Sequence, residues 1–270
     1  MAAIVAAGLA VVGLVSPPAM AGELTTFAGP ALGTTYRVTL AAAVPGMKPG
    51  EVHREVEAVI AGVDRALSTW RDDSDASRFN RAPADAWLAV SPDLVAVVAI
   101  ARRVHDDTGG AFDITAAAGG PAAGMHLLEI RRHPPAIRKL RAGVAIDLGG
   151  IGPGYAVDAI GERLAALGSV SHLVELGGEV RAWGTRAAGE PWRIALRHSG
   201  GVVVLAPGEA VATSTARAGR SPVDPRSGRV VTPAAAIATA RAATCAEADA
   251  RAVADLVRSA ATSASRRDSP

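Results

Sequence analysis

Between Asp147 and Ile160 the chain reads DLGGIGPGYAVDAI, four glycines that close an apolar run and open a segment of helical spacing. No other stretch narrows the fold as much. Glycines set this close let backbone approach a ligand or another element, and a helix starting there presents unpaired N–H groups. Upstream, Val144, Ile146 and Leu148 alternate and predict a short strand. Downstream, Val157, Ile160, Leu164 and Leu167 recur at helical spacing up to Gly168, and HLVEL then predicts a second strand carrying Glu175. Strand, glycine turn, helix and strand is the order of a dinucleotide-binding unit. The spacing opposes that reading. The glycines fall at 149, 150, 152 and 154, so a G-x-G-x-x-G frame from Gly150 needs its third glycine at Tyr155, and one from Gly152 needs it at Val157. A Rossmann-like oxidoreductase is thereby reduced to a lesser alternative, and the rest of the chain decides.

The flanking segments alternate less regularly between helix and strand. Tyr36, Val38 and Leu40 alternate with polar residues as in a half-buried strand, and Val52, Val56, Val59, Val63 and Leu67 line one face of a helix. The segment STWRDDSDASRFNRAP fits neither period and reads as a polar loop, functional or merely solvated. Ser91 and Pro92 predict the start of a helix running to about Asp107, which Thr108-Gly109-Gly110 ends. LGGEVRAWG, WRIALRH and VVVL predict consecutive antiparallel strands. Thr244 and Glu247 form a capping box for a last helix with Ala248, Ala252, Leu256 and Val253 as inward candidates. The order implies an α+β fold with mixed or antiparallel sheets and packed helices.

Composition excludes several functions. Lys and Arg number 28 against 26 Asp and Glu, with the signs interspersed, so no basic surface for nucleic acid is expected. Aromatic residues make up 3%, so the core must be Ala, Val, Leu and Ile, and each Trp is a landmark. Cys245 is the single cysteine, which excludes an intramolecular disulfide or a CxxC zinc site; its bland role is that of a small buried apolar residue. The six histidines form no H-x-x-x-H pair, and neither a G-x-S-x-G elbow nor a Walker loop occurs.

Residues Ala2 to Val15 are apolar and lead through Ser16-Pro17-Pro18 to Ala19-Met20-Ala21. This resembles a secretory signal over residues 1–21, although no Lys or Arg precedes the apolar core. The run falls short of the roughly 20 residues that span a bilayer. The expectation is export to a periplasmic or other extracytoplasmic compartment; a buried strand or helix, and with it a cytoplasmic protein, is the alternative. One domain is expected over 22–258, and 259–270 reads as a disordered tail.

What remains is a series of polar and glycine-rich segments: ALGTTYRV, LSTWRDDSDASRFN, TGGAFDIT, DLGGIGPGYAVD, LVELGGEVRAWG, VATSTARAGRSPVDPRSG and TCAEADARA. In this order and at these separations they resemble the ApbE family, the FAD:protein FMN transferases, from about Gly29 to Val257. The resemblance implies an ApbE-like, T-fold-like architecture. It also implies Mg²⁺-dependent transfer of FMN from FAD to a threonine of an acceptor flavoprotein, with release of AMP. Leu32, Trp70, Ala111, Phe112, Asp113, Asp147, Pro153 and Val223 take the places of residues that contact FAD, while the Gly150 carbonyl and the Asp249 carboxylate take those of magnesium ligands.

Four departures accompany the resemblance. Val253 stands where a threonine ligand is usual, Ser221 where a histidine precedes the Asp-Pro pair, and Pro153 where a lysine is frequent. The stretch between Thr213-Ser214 and Asp224 is also shortened, with Thr215 replacing a glycine. The catalytic base is therefore unassigned, and a catalytically silent FAD-binding protein is the principal alternative.

Overall fold

The computed structural model describes residues 13–14, 24–186, 189–196, 201–216, 222–232 and 237–267, the side chains of 13–14, 121 and 260–267 excepted. Of the leader-like segment only Gly13–Leu14 (β1) falls in this set, and the A-x-A motif lies outside it. The main sheet opens with a hairpin, β2 (Thr25–Ala31) and β3 (Thr34–Leu40). Its two turn residues, Leu32 at φ 48 and Gly33 at φ 77, both have positive φ, the geometry that matches the twist of paired strands. Pro30 is tolerated in β2 because that strand is the sheet edge, where a missing N–H breaks no ladder.

Helix α1 (Pro49–Leu67) begins with a proline in its first turn and with Glu51 accepting from the Lys48 N–H at 2.7 Å. Val52, Val56, Ile60 and Val63 form its buried stripe, while Val59, expected inward, is only half-buried. The polar segment that follows is not simply a loop. It contains α2 (Asp75–Arg81), capped by Ser74, whose Oγ accepts from Ser77 N at 3.0 Å. Seven residues are too few to establish a helical period in sequence. After β4 (Leu88–Ala89), Ser91 caps α3 (Pro92–Asp107) as expected, accepting from Leu94 N at 3.3 Å. Strands β5 (Leu128–Arg132) and β6 (Pro135–Lys139) join β4 in a small sheet of order β4-β6-β5.

The strand expected at Val144 to Leu148 does not form. These residues are buried, but their polar backbone groups are met by side chains and a neighbouring loop instead of a ladder. Asn80 donates to the Ile146 carbonyl at 2.9 Å and accepts from its N–H at 2.8 Å. Lys139 Nζ donates to the Val144 carbonyl at 2.8 Å, and Asp147 N donates to the Ile114 carbonyl at 2.7 Å. Buried backbone whose groups find partners looks the same in sequence whether or not the partner is a strand.

Helix α4 (Gly152–Ala166) then leads to the hairpin β7 (His172–Leu176) and β8 (Glu179–Trp183). Next come β9 (Trp192–Ala195), β10 (Val202–Leu205), β11 (Ala210–Thr215), the short hairpin β12 (Val223–Asp224) and β13 (Arg229–Val230), and β14 (Ile237–Ala242). The last helix, α5 (Cys245–Arg267), continues past residue 258, where the sequence suggested a disordered tail.

The main sheet has the order β14-β11-β8-β7-β3-β2, with every neighbouring pair antiparallel. On one face α5 packs against β11 and β14, α4 against β7 and β8, and α1 against α4. The other face carries a smaller core around the fully buried Trp192, Ile194 and Leu205. There β9 pairs with β10 on one side and β1 on the other, Gly13 facing Ala195 and Leu14 facing Ile194, so β9 does not extend the β7–β8 series. The α+β expectation stands. An aliphatic core suffices because each buried Val, Leu or Ile contributes about 1.5–3 kcal/mol. Among the described residues no helix is long and apolar enough to cross a membrane.

Candidate active site

A cavity of 780 Å³ opens where the β2–β3 turn, helix α1 and the glycine-rich segment meet. Glu57, Ile60, Ala61 and Asp64 recur three and four residues apart, so one face of α1 forms a wall. Leu32 and Gly33 form the opposite rim, and Asp147, Gly149, Gly152 and Pro153 the floor. Leu32 is a bulky side chain held at φ 48, a conformation that survives only where its surroundings impose it and that clusters at ligand sites.

The loop after α1 is pinned in place. Ser68 Oγ accepts from the N–H groups of Trp70 and Arg71 at 3.3 and 3.4 Å, and the Ser68 carbonyl accepts from the hydroxyls of Ser74 and Ser77. Trp70, 69% exposed, stands at the lip of the cavity with its ring free for stacking. Arg71 is fixed beside it by a fork to Asp73 at 3.0 and 2.8 Å and by Asp64 at 3.4 Å. These contacts distinguish an organised rim from a merely solvated loop.

The floor depends on the close approach of two helices. A Cβ on Gly154 would lie 2.4 Å from the Cys245 carbonyl oxygen, so the start of α4 touches the α5 backbone directly. One turn into α5, the buried Asp249 accepts from Gly154 N at 3.2 Å. Its carboxylate thus caps α4 from a neighbouring helix and does not merely stabilise its own first turn. Burial, reinforced by the Asp158 carboxylate and opposed by the Gly154 N–H, pushes the Asp249 pKa up to about 7. Asp158 in turn caps α5, accepting from Cys245 N and Ala246 N at 2.9 Å each, and pairs with Arg181 at 2.7 Å. Cys245 is fully buried, as its bland reading required.

Leu32, Trp70, Asp147 and Pro153 therefore meet at one cavity. Asp147 Oδ1 also accepts from Gly149 N at 2.9 Å and so shapes the turn that it lines. Gly150 lies behind the floor, where a Cβ would meet Val253 Cγ2 at 2.8 Å and the Phe112 ring at 3.6 Å. Ala111, Phe112 and Asp113 form a buried turn on that side, and Val223 pairs with Val230 in β12; none of the four lines the cavity. Ser221 is outside the described residues. Sequence reasoning missed Glu57, Asp64 and Arg71, although the polar positions of α1 at helical spacing were a usable signal. It also missed Thr34, a cavity residue whose buried hydroxyl has no hydrogen-bond partner among the described residues.

Residues 32–265 match the family model described as the ApbE family. The chain is 28% identical over 205 residues to the FAD:protein FMN transferase of Haemophilus influenzae, covering 64% of this chain and 58% of that protein. It is 30% identical over 200 residues to the one from Vibrio cholerae, covering 64% and 59%. Both alignments thus span less than two thirds of the curated relatives. Among solved structures, the apo flavinyl transferase ApbE of Pseudomonas stutzeri superposes with a TM-score of 0.78 at 32% identity, over 87% of this chain and 84% of that one. The flavin transferase ApbE of Vibrio cholerae gives 0.76 at 27% identity, over 87% of each chain.

Proposed function

The chain belongs to the ApbE family, and from that membership we propose that it is a flavin transferase, moving the FMN half of FAD onto a threonine hydroxyl of an acceptor flavoprotein and releasing AMP. The observation that carries this reading is the convergence of Leu32, Trp70, Asp147 and Pro153, from three separate segments, on one cavity at the start of a helix. Such a floor suits a diphosphate: backbone can approach it closely at Gly149 and Gly152, and the helix presents its positive end. Trp70 offers its ring to one of the two aromatic systems of FAD.

The charge balance supports a divalent cation. The cavity is lined by three carboxylates, Glu57, Asp64 and Asp147, against the single guanidinium of Arg71, so an anionic diphosphate entering alone is repelled. Among the described residues no group of three His, Cys, Asp or Glu side chains could hold a metal, so a bound ion would have to rely on fewer protein oxygens. Asp249 and the Gly150 carbonyl are hard oxygen donors, and the raised pKa of Asp249 marks a buried carboxylate that a cation would relieve. As ligands they would leave most of magnesium's positions to waters and substrate phosphates, which that ion usually retains. Asp249 and the Gly150 carbonyl would hold such an ion, which would supply positive charge against the diphosphate and the departing AMP. Asp147 orients the polar face of the nucleotide, and the pinned Ser68–Arg71 loop holds the outer ring.

The silent FAD-binding alternative has one observation in its favour: a methyl group of Val253, not an oxygen, faces Gly150. The signal-like leader supports an exported enzyme. Titration by flavin fluorescence, with NAD followed by calorimetry, tests the ligand assignment. FAD is expected to bind and to require Mg²⁺ for full affinity; binding of NAD without FAD would contradict the reading.

A further inference from the structure

Asp158 and Asp249 stand in the same relation to opposite helices. Asp249, one turn beyond Cys245 in α5, accepts from Gly154 N at the start of α4. Asp158, one turn beyond Gly154 in α4, accepts from Cys245 N and Ala246 N at the start of α5. Each helix is thus capped by a carboxylate that the other supplies. The exchange takes place where a Cβ on Gly154 would lie 2.4 Å from the Cys245 carbonyl oxygen and 2.9 Å from the Ala246 Cα. Three hydrogen bonds across so close a contact fix how far along its axis each helix begins.

The two carboxylates differ in what they leave free. Asp158 is fully engaged: Oδ1 accepts from Cys245 N and from Arg181 Nη1, at 2.9 and 2.7 Å, and Oδ2 accepts from Ala246 N at 2.9 Å. Arg181 lies in β8, donates from Nε to the Gly208 carbonyl at 3.2 Å and stacks 4.7 Å from the centroid of Trp183, so it ties Asp158 to the sheet. Asp249 is 4% exposed and uses Oδ2 alone; among the described residues Oδ1 has no hydrogen-bond partner.

Asp158 is not needed merely to start α5. Thr244 does that already, its Oγ1 accepting from Glu247 N at 3.3 Å and its carbonyl from Ala248 N at 3.1 Å. What Asp158 adds is the place of that start relative to α4 and β8. Pro153, in the cavity floor, directly precedes Gly154, and Val253, against Gly150, lies one turn beyond Asp249. A shift at the junction therefore moves the floor and the two candidate metal oxygens relative to one another.

Resting on the flavin-transferase reading and its magnesium site, we propose that Asp158 is a positioning residue: clamped by Arg181, it sets α5 against α4 and so holds Asp249 Oδ1 where magnesium would be bound. The test uses the full chain and three measurements: the Mg²⁺ concentration for half-maximal FAD binding, Mn²⁺ binding without FAD by electron paramagnetic resonance, and the urea midpoint. Asp158→Asn turns an N–H donor toward one of the α5 N–H groups. It should raise the Mg²⁺ requirement and weaken Mn²⁺ binding by about 10-fold, the low end of what is lost with a partner that orients a metal ligand. Asp249→Asn should raise the requirement at least as much, and Asp158→Asn added to it should change nothing further, because the one acts through the other. Thr244→Ala, which loosens the α5 start alone, should lower the urea midpoint and leave the Mg²⁺ requirement at the wild-type value. If Asp158→Asn does not fold, Arg181→Lys, which keeps the charge but cannot span Asp158 and Gly208 with one planar group, should still raise the requirement. An unchanged requirement in the variant that folds, effects of Asp158→Asn and Asp249→Asn that multiply, or an equal rise in Thr244→Ala overturns the assignment. Wild-type FAD binding indifferent to Mg²⁺ overturns the magnesium site itself, and the positioning role with it.

Discussion

Asn80 does the work of a neighbouring strand, giving the Ile146 backbone both a donor and an acceptor one residue before Asp147. Asn80→Ala leaves two buried backbone groups unpaired, each costing about 1–3 kcal/mol, and lets the cavity floor move. Urea denaturation should show that loss, and flavin titration weaker FAD binding. Val253 decides a second issue at this scale. It lies one helical turn beyond Asp249, with Cγ2 against Gly150, so Val253→Thr brings an oxygen to face Gly150 at almost constant volume. The expected outcome is a lower Mg²⁺ concentration for half-maximal FAD binding. A loss of stability of about 1–3 kcal/mol with unchanged Mg²⁺ dependence would identify the position as plain core.

Between elements, His172 joins α4 to the β7–β8 hairpin. Its buried ring donates from Nε2 to the Gly161 carbonyl at 3.1 Å, accepts at Nδ1 from Ser169 Oγ at 3.0 Å, and stacks on Trp183. Burial, opposed by the Gly161 carbonyl, lowers its pKa to about 4. The folded chain therefore favours the neutral ring. This contribution, about 3 kcal/mol at most, is complete above about pH 6.5 and is lost as the pH falls through about 4. His172→Gln should flatten the change in urea midpoint between pH 7 and pH 5, whereas an unchanged slope would show that other groups govern acid unfolding. Legibility also differs at this scale. Helices α1 and α3 were readable from proline, caps and apolar spacing. Helix α2 was hidden by its length, and the failed strand at 144–148 by side chains that imitate strand partners. The course of α5 beyond 258 was masked by a polar composition that helices and disordered tails share.

Across the whole molecule, the cavity is assembled by folding segments more than a hundred residues apart, from Pro30 to Pro153, onto one end of the sheet. Individually those segments were weak turn signals, and only their order identified the family. On that basis the sequence pointed to Leu32, Trp70, Asp147 and Pro153, which line one cavity. Arg71 and the acidic face of α1 were not legible, because a charged helix face reads as solvated until another element closes over it. The central claim is that this site divides FAD between an acceptor protein and AMP. The most direct measurement incubates the purified chain with FAD, Mg²⁺ and solubilised cell-envelope proteins, then quantifies free AMP and protein-linked flavin together. The account predicts equal amounts of the two, both abolished by chelating the metal; FAD that stays bound and intact, with neither product formed, would contradict it.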